Sequence, residues 1–116
     1  MRYILFFYIS IVNLFAISYG ELLFNGNCIT CHCKTKSISA PSMIDIKQRY
    51  IDAFSNKDQF INYMTNWIEH PNKETSLMQD AITKYELMPE LGFDKDTLKQ
   101  ISCYIYKTDF KLNGSN

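Results

Sequence analysis

Two cysteines and a histidine occur in the spacing of a covalent haem attachment site. Cys28, Cys31 and His32 form the sequence Cys-Ile-Thr-Cys-His, which matches the pattern C-x-x-C-H. On a helical turn the two thiols lie on the same side of the backbone, so both can form thioethers to the vinyl groups at one porphyrin edge. The adjacent imidazole can then bind the iron. The motif therefore predicts one haem c, bound covalently through Cys28 and Cys31 and ligated by His32.

Three other kinds of site use cysteines at this spacing, and each stays open. A thioredoxin-type redox pair also has the form C-x-x-C, but it belongs to a βαβ context, and strand alternation is weak in this chain. A zinc site needs about four ligands, and only His70 and Cys103 remain outside the cluster. A disulfide arrangement of the cysteines is compatible with an exported chain. Haem attachment is favoured because a histidine directly follows the second cysteine.

Length and charge indicate one globular domain. The chain has 116 residues, which is the size of a single domain. It contains 12 Lys and Arg residues and 12 Asp and Glu residues, so its formal net charge at pH 7 is zero. This balance excludes a strongly basic nucleic-acid binder and an acidic disordered tail. Hydrophobic residues make up 47% of the chain and charged residues 21%, which indicates an ordinary core.

Residues 1–18 have the layout of a secretory signal peptide. The segment MRYILFFYISIVNLFAIS carries one charge at Arg2, then an apolar run and small residues, as signal peptides do. Small residues allow cleavage before Tyr19 or before Glu21. A retained membrane anchor is the alternative, because the apolar run is at the lower limit of a spanning helix. Both interpretations put the domain at 19–116 outside the cytoplasm, in the bacterial periplasm or anchored to the periplasmic face of the inner membrane.

The domain at 19–116 is expected to be all-α. Its apolar residues fall mostly at spacings of three and four. Asp94 is a suitable N-cap, and His70-Pro71 should end a helix because the residue before proline avoids the helical conformation. The pattern predicts four or five short helices, at 19–29, 44–54 and 56–69, more weakly at 75–85, and after Asp94. Residues 33–42 and 87–93 are predicted loops.

A family resemblance adds to the motif. Gly20 and Phe24 lie eight and four residues before Cys28, and the last helix contains the segment ISCYI at 101–105. In these residues the chain resembles the small single-haem class I cytochromes c of bacteria. The resemblance implies that Gly20 and Phe24 lie where the first helix crosses the last, since a missing Cβ permits close approach. It also implies a cytochrome c fold, in which short helices wrap around one covalently bound haem.

A haem that carries electrons needs a second protein ligand, and a methionine thioether opposite the histidine serves that purpose. Met64 and Met78 belong to apolar helical segments, and Met43 is close to His32 in sequence. Met88 lies in the predicted loop before the last helix. An open sixth position on the iron is a further alternative. The candidate ligands from residue type and context are Met43, Met64, Met78, Met88 and His70.

The resemblance selects one candidate and adds a supporting contact. In class I cytochromes c the distal ligand is a methionine just before the last helix, often followed by proline, and Met88-Pro89 matches this position. The family also holds the proximal imidazole through the backbone carbonyl of a proline after the motif. Pro41 matches that proline, with Ala-Pro in place of the usual Gly-Pro. The resemblance thus implies His32 and Met88 as metal ligands and Pro41 as the group that orients His32.

Four further side chains have open roles. Cys33 and Cys103 are not needed for haem attachment, and they can form a disulfide, remain separate thiols or pair between chains. Trp67 and Tyr85 are candidates for hydrogen bonds to a haem propionate or to the methionine sulfur, or for ordinary aromatic packing. Each of these roles depends on distances that the fold sets.

These features predict an electron carrier rather than an enzyme. A His/Met-ligated haem cycles by one electron and requires no nucleophile or general base. The expected partners are transient protein redox partners, such as a membrane oxidase, reductase or dehydrogenase, and the mixed surface charge selects none of them strongly. The alternatives are a membrane-anchored haem subunit of a larger oxidoreductase and a haem-based sensor with an open iron site. No nucleic-acid partner is expected.

Overall fold

Residues 18–112 form five α-helices and one short 3-10 turn. The computed structural model describes residues 18–112, so the predicted signal peptide lies outside the described residues except for Ser18. Residues 18–112 contain no strand, which confirms the predicted all-α class, and none of their helices is long and apolar enough to cross a membrane. The elements are α1 (Tyr19–Asn27), α2 (Met43–Ala53), α3 (Lys57–Glu69), the 3-10 turn Lys73–Thr75, α4 (Gln79–Tyr85) and α5 (Lys95–Lys107).

Polar side chains fix the beginnings of the first and last helices. The Ser18 hydroxyl accepts a hydrogen bond from the Glu21 N–H at 3.1 Å and caps α1. Asp94 caps α5, as predicted, because its carboxylate accepts from the Thr97 N–H at 2.7 Å. This hydrogen bond lowers the pKa of Asp94. Such caps satisfy backbone donors that have no partner within the helix.

The first and last helices cross in close contact at Gly20. α5 packs against both α1 and α3, and α2 packs against α3. A Cβ on Gly20 would lie 2.5 Å from the Gln100 carbonyl oxygen and 3.0 Å from Tyr104 Cβ, so only glycine fits there. One turn later, Phe24 is fully buried, and its ring centroid lies 5.2 Å from that of Tyr104 and 5.6 Å from that of Phe110. This crossing has the position that the resemblance implies.

The core lies where α1, α3 and α5 meet. Leu98, Ile101 and Ile105 form the buried stripe of α5. They belong to one hydrophobic cluster with Phe60 and Met64 of α3. Full burial of side chains of this size contributes about 1.5–3 kcal/mol each, so the interface between α3 and α5 is a main source of stability.

The helix predicted at 75–85 is interrupted. The chain forms the 3-10 turn Lys73–Thr75, and α4 begins only at Gln79. The Ser76 hydroxyl accepts from the Met78 N–H at 3.1 Å. The Gln79 side-chain amide donates to the carbonyls of residues 73 and 76 at 2.8 and 3.0 Å. Side-chain bonds of this kind compete with the backbone bonds of a helix, which explains the late start of α4.

We expect Gly20→Ala to destabilise the fold by ~1–3 kcal/mol, because the added methyl group overpacks the helix crossing. Gly26→Ala is the matched control in the same helix, since no atom lies within 4 Å of a Cβ at Gly26. This control should stabilise the fold by about 0.5–1 kcal/mol through its higher helix propensity. Urea unfolding followed by circular dichroism measures both variants, and equal stabilities would contradict the close crossing.

Candidate functional site

The motif residues lie on the turn that follows α1. Cys28 is the C-cap of α1, and its N–H donates to the Phe24 carbonyl at 2.9 Å. The His32 N–H then donates to the Cys28 carbonyl, also at 2.9 Å. Cys31 is exposed, whereas Cys28 and His32 are half-buried. Because Phe24 is anchored in the core, the end of α1 and the motif turn are held in place.

The His32 ring is oriented by a backbone carbonyl. Its Nδ1 lies 2.9 Å from the Pro41 carbonyl oxygen. A carbonyl only accepts hydrogen bonds, so in the neutral ring Nδ1 carries the proton and Nε2 keeps its lone pair for a metal. Such an outer contact fixes the ring and raises its strength as a ligand. The Pro41 carbonyl therefore has the contact that the resemblance implies.

Backbone hydrogen bonds return the loop at 33–42 to the motif. The Met43 N–H donates to the Cys33 carbonyl at 2.9 Å. The Ile44 N–H donates to the Lys34 carbonyl at 3.1 Å. These bonds join the start of α2 to the residues directly after His32. The segment contains no helix or strand, as predicted. The two hydrogen bonds between its ends bring Pro41 close to the His32 ring.

A cavity of about 250 Å³ lies beside the motif, and its wall includes residues from all five helices. Most of the wall is apolar, with side chains such as Ile46, Tyr50, Ile68, Leu77, Ile82 and Ile101. Apolar walls with a few polar groups are typical of cofactor sites. A thiol pair, an imidazole and a thioether among the lining residues fit a covalently bound haem in chemical type. The site residues predicted from the sequence all line this cavity, and they are Cys28, Cys31, His32, Pro41 and Met88.

Met88 lies in the segment that joins α4 to α5, residues 86–94, which we call the Met88 loop. It is half-buried. Met43, Met64 and Met78 line the same cavity, but Met43 begins α2 and Met64 belongs to α3. Met78 is the residue before α4 and not part of a helix, which differs from the predicted helical setting. Four thioethers therefore line one cavity, and among them only Met88 lies in a predicted loop.

Two other predicted candidates have partners elsewhere. His70 does not line the cavity, and its Nδ1 lies 2.7 Å from Glu90 Oε1 at the surface. The Trp67 ring lines the cavity, but its indole N–H donates to the Asn72 carbonyl at 3.1 Å. Tyr85 also lines the cavity. The Trp67 donor is thus satisfied within the protein, and its ring contributes to the apolar wall.

The backbone at the entry to the Met88 loop is strained. Glu86 has a φ of 70° and a ψ of 179°, a conformation that costs a non-glycine residue about 1–3 kcal/mol. Gly92, near the other end of the loop, has a φ of 77°. Met88 therefore lies between two residues with positive φ. Glycine is a visible sequence signal for such a conformation, whereas nothing in the residue type marks Glu86.

Cys33 and Cys103 are half-buried free thiols. Cys103 packs at the edge of the hydrophobic core. Within residues 18–112, no group of three or more His, Cys, Asp or Glu side chains is arranged to hold a metal ion. A zinc site, which needs about four such ligands, is therefore not assembled from this part of the chain.

Comparisons with known proteins add no relative. No protein-family model, no curated protein and no solved structure matches the chain. The resemblance to class I cytochromes c therefore rests on particular residues only, which are the motif at 28–32, Gly20 at the helix crossing and Met88 before the last helix.

In the chain without haem, Cys31 should react faster than Cys28 with iodoacetamide. Burial, together with the neighbouring charge of Cys31, raises the pKa of the Cys28 thiol to about 11, so little of it is thiolate. At about pH 8.5 we expect roughly tenfold slower alkylation of Cys28, since the thiolate is the nucleophile. Peptide mass spectrometry after partial alkylation measures the ratio. In denaturant the two rates should converge, and equal rates in the folded chain would contradict the buried thiol.

Proposed function

We propose that this chain is an exported bacterial class I cytochrome c that carries single electrons between respiratory redox partners. One observation carries the proposal: Cys28, Cys31, His32 and Met88 line a single apolar cavity. The His32 ring is held there through its Nδ1 by the Pro41 carbonyl. The residue order of the motif is that of c-type haem attachment. The all-α architecture and the close crossing of α1 and α5 support the cytochrome c fold.

Each site residue has a defined role in this proposal. Cys28 and Cys31 attach haem c through thioethers, and His32 Nε2 and the Met88 sulfur ligate the iron. Pro41 keeps the imidazole in one orientation. When bound, the haem supplies a one-electron ferric–ferrous couple. The apolar wall would limit contact of the haem with water, and His32 and Met88 would both serve as iron ligands, so the proposed role is that of a carrier rather than an enzyme.

The proposal includes a location and a class of partner. Residues 1–18 export the chain to the bacterial periplasm as a cleaved signal peptide. If this segment is retained, it anchors the domain to the periplasmic face of the inner membrane, as in a haem subunit of a larger oxidoreductase. The intact mass of the native protein distinguishes these two forms. The partners are an oxidase, reductase or dehydrogenase that docks transiently and exchanges one electron.

Expression with the cytochrome c maturation machinery should give a protein with one covalent haem. Denaturing gel electrophoresis with haem staining, together with intact mass, measures the attachment. Cys28→Ser and Cys31→Ser should each remove one thioether, and the double variant should lose covalent haem altogether. Cys33→Ser is the matched control, because Cys33 lies next to the motif but outside the attachment pattern. A wild-type chain that carries no haem under these conditions would contradict the proposed function.

Met88→Ala should abolish the far-red methionine–ferric charge-transfer band, because the iron loses its thioether ligand. The reduced variant should also bind carbon monoxide. Met78→Leu is the matched control, since it removes another thioether from the same cavity wall with little change of volume. The band should remain in this control. A wild-type protein that lacks the band and binds carbon monoxide readily would instead be a haem-based sensor with an open iron site.

A further inference from the structure

A histidine that contacts two carboxylates joins the end of α3 to the Met88 loop. His70 is the C-cap of α3, and its Nδ1 forms a hydrogen bond of 2.7 Å with Glu90 Oε1. Its Nε2 lies 3.2 Å from Glu69 Oε1. The Nζ of Lys95, the first residue of α5, lies 3.8 Å from Glu69 Oε2. We propose that His70 is a positioning residue that holds the Met88 loop against α3, where the role of Met88 as a ligand rests on the proposed function.

The contact of His70 with Glu90 is a hydrogen bond, whereas its contact with Glu69 is an ion-pair distance only. Ionised carboxylates accept hydrogen bonds but do not donate them, and an imidazole donates from both nitrogens only as the cation. The groups that face the ring are the carboxylates of Glu69 and Glu90, with the Lys95 ammonium beyond Glu69. Glu69 Oε2 is buried and has no hydrogen-bond partner, so the nearby Lys95 ammonium reduces the cost of its charge.

The contact between His70 and Glu90 matters because the backbone of the Met88 loop is strained nearby. The strained conformation at Glu86 persists only where the surrounding structure fixes it. Glu90 lies two residues beyond Met88, so a contact at Glu90 acts on the same short stretch of chain. The side chains of His70 and Glu90 are 73% and 59% exposed, so their contact can open without disturbing the core. His70 is thus suited to control how often the loop leaves the cavity, and not whether the domain folds.

The test measures how fast an external ligand replaces Met88 in the haem-loaded, oxidised protein. Imidazole is added at one fixed pH near neutral, where part of the free imidazole keeps an unprotonated nitrogen for the iron, and loss of the far-red band reports the replacement. We expect His70→Ala and Glu90→Gln each to raise the replacement rate roughly two- to fivefold, as for loss of an exposed ion pair. His70→Arg keeps a cation with several donors, so it should remain close to the wild-type rate.

Two controls separate positioning from a general effect of charge or stability. Glu74→Gln removes an exposed carboxylate from the 3-10 turn Lys73–Thr75 instead of the Met88 loop, and it should leave the rate unchanged. Rescue of the wild-type rate by His70→Arg is the second control, because this variant restores the cation but not the imidazole ring. A purely structural contribution of the imidazole side chain would not be rescued in this way.

Amide hydrogen exchange of the same purified chains gives a readout that does not require haem. Residues 86–92 should exchange faster in His70→Ala than in the wild type, with α5 unchanged. If neither the replacement rate nor this exchange changes in His70→Ala and Glu90→Gln, the positioning role is overturned. If the wild-type chain takes up no haem, the proposed function fails, and the exchange of residues 86–92 alone decides whether His70 holds the loop.

Discussion

The close approach of α1 and α5 at Gly20 determines where the motif lies. No Cβ separates the two backbones there, so Phe24 reaches the core one turn later and α1 ends at Cys28. The motif turn begins at this C-cap. On the other side of the crossing, α5 contributes Ile101 and Ile105 to the cavity wall. The crossing of α1 and α5 therefore positions both the motif turn and part of the cavity wall.

The two proposed iron ligands are supported by different physical interactions. His32 lies on a turn closed by backbone hydrogen bonds, and its ring is fixed by the Pro41 carbonyl. Met88 lies in a loop with positive-φ residues near both ends, and one contact of this loop with the end of α3 is the exposed hydrogen bond between Glu90 and His70. Backbone bonds in turns persist in water better than exposed ion pairs, which contribute at most about 1 kcal/mol. We therefore expect the Met88 side of the cavity to fluctuate more than the His32 side.

Local patterns were sufficient to predict most helices, and the differences have identifiable causes. Apolar spacing, together with proline and N-cap signals, placed both ends of α3 and the start of α5 within one residue, because their buried stripes are strongly periodic. The helix at 75–85 was predicted too long, since periodicity does not include the competing bonds at Ser76 and Gln79. The motif and the predicted ligand loop are both visible in the sequence. The motif and the loop line one cavity, and His70 contacts Glu90, twenty positions away. These placements depend on packing, which residue spacing does not determine.

The cap at Ser18 would link the proposed removal of the signal peptide to the stability of α1. Cleavage before Tyr19 would remove the Ser18 hydroxyl, a cap worth ~1 kcal/mol, and would put a charged α-amino group at the positive end of the helix dipole. Cleavage before Glu21 would also remove Gly20 and its close approach to α5. A processed chain therefore starts with a weakened first helix. Covalent attachment of haem at Cys28 would fix the opposite end of α1. Haem attachment would therefore stabilise the helix that signal-peptide cleavage weakens.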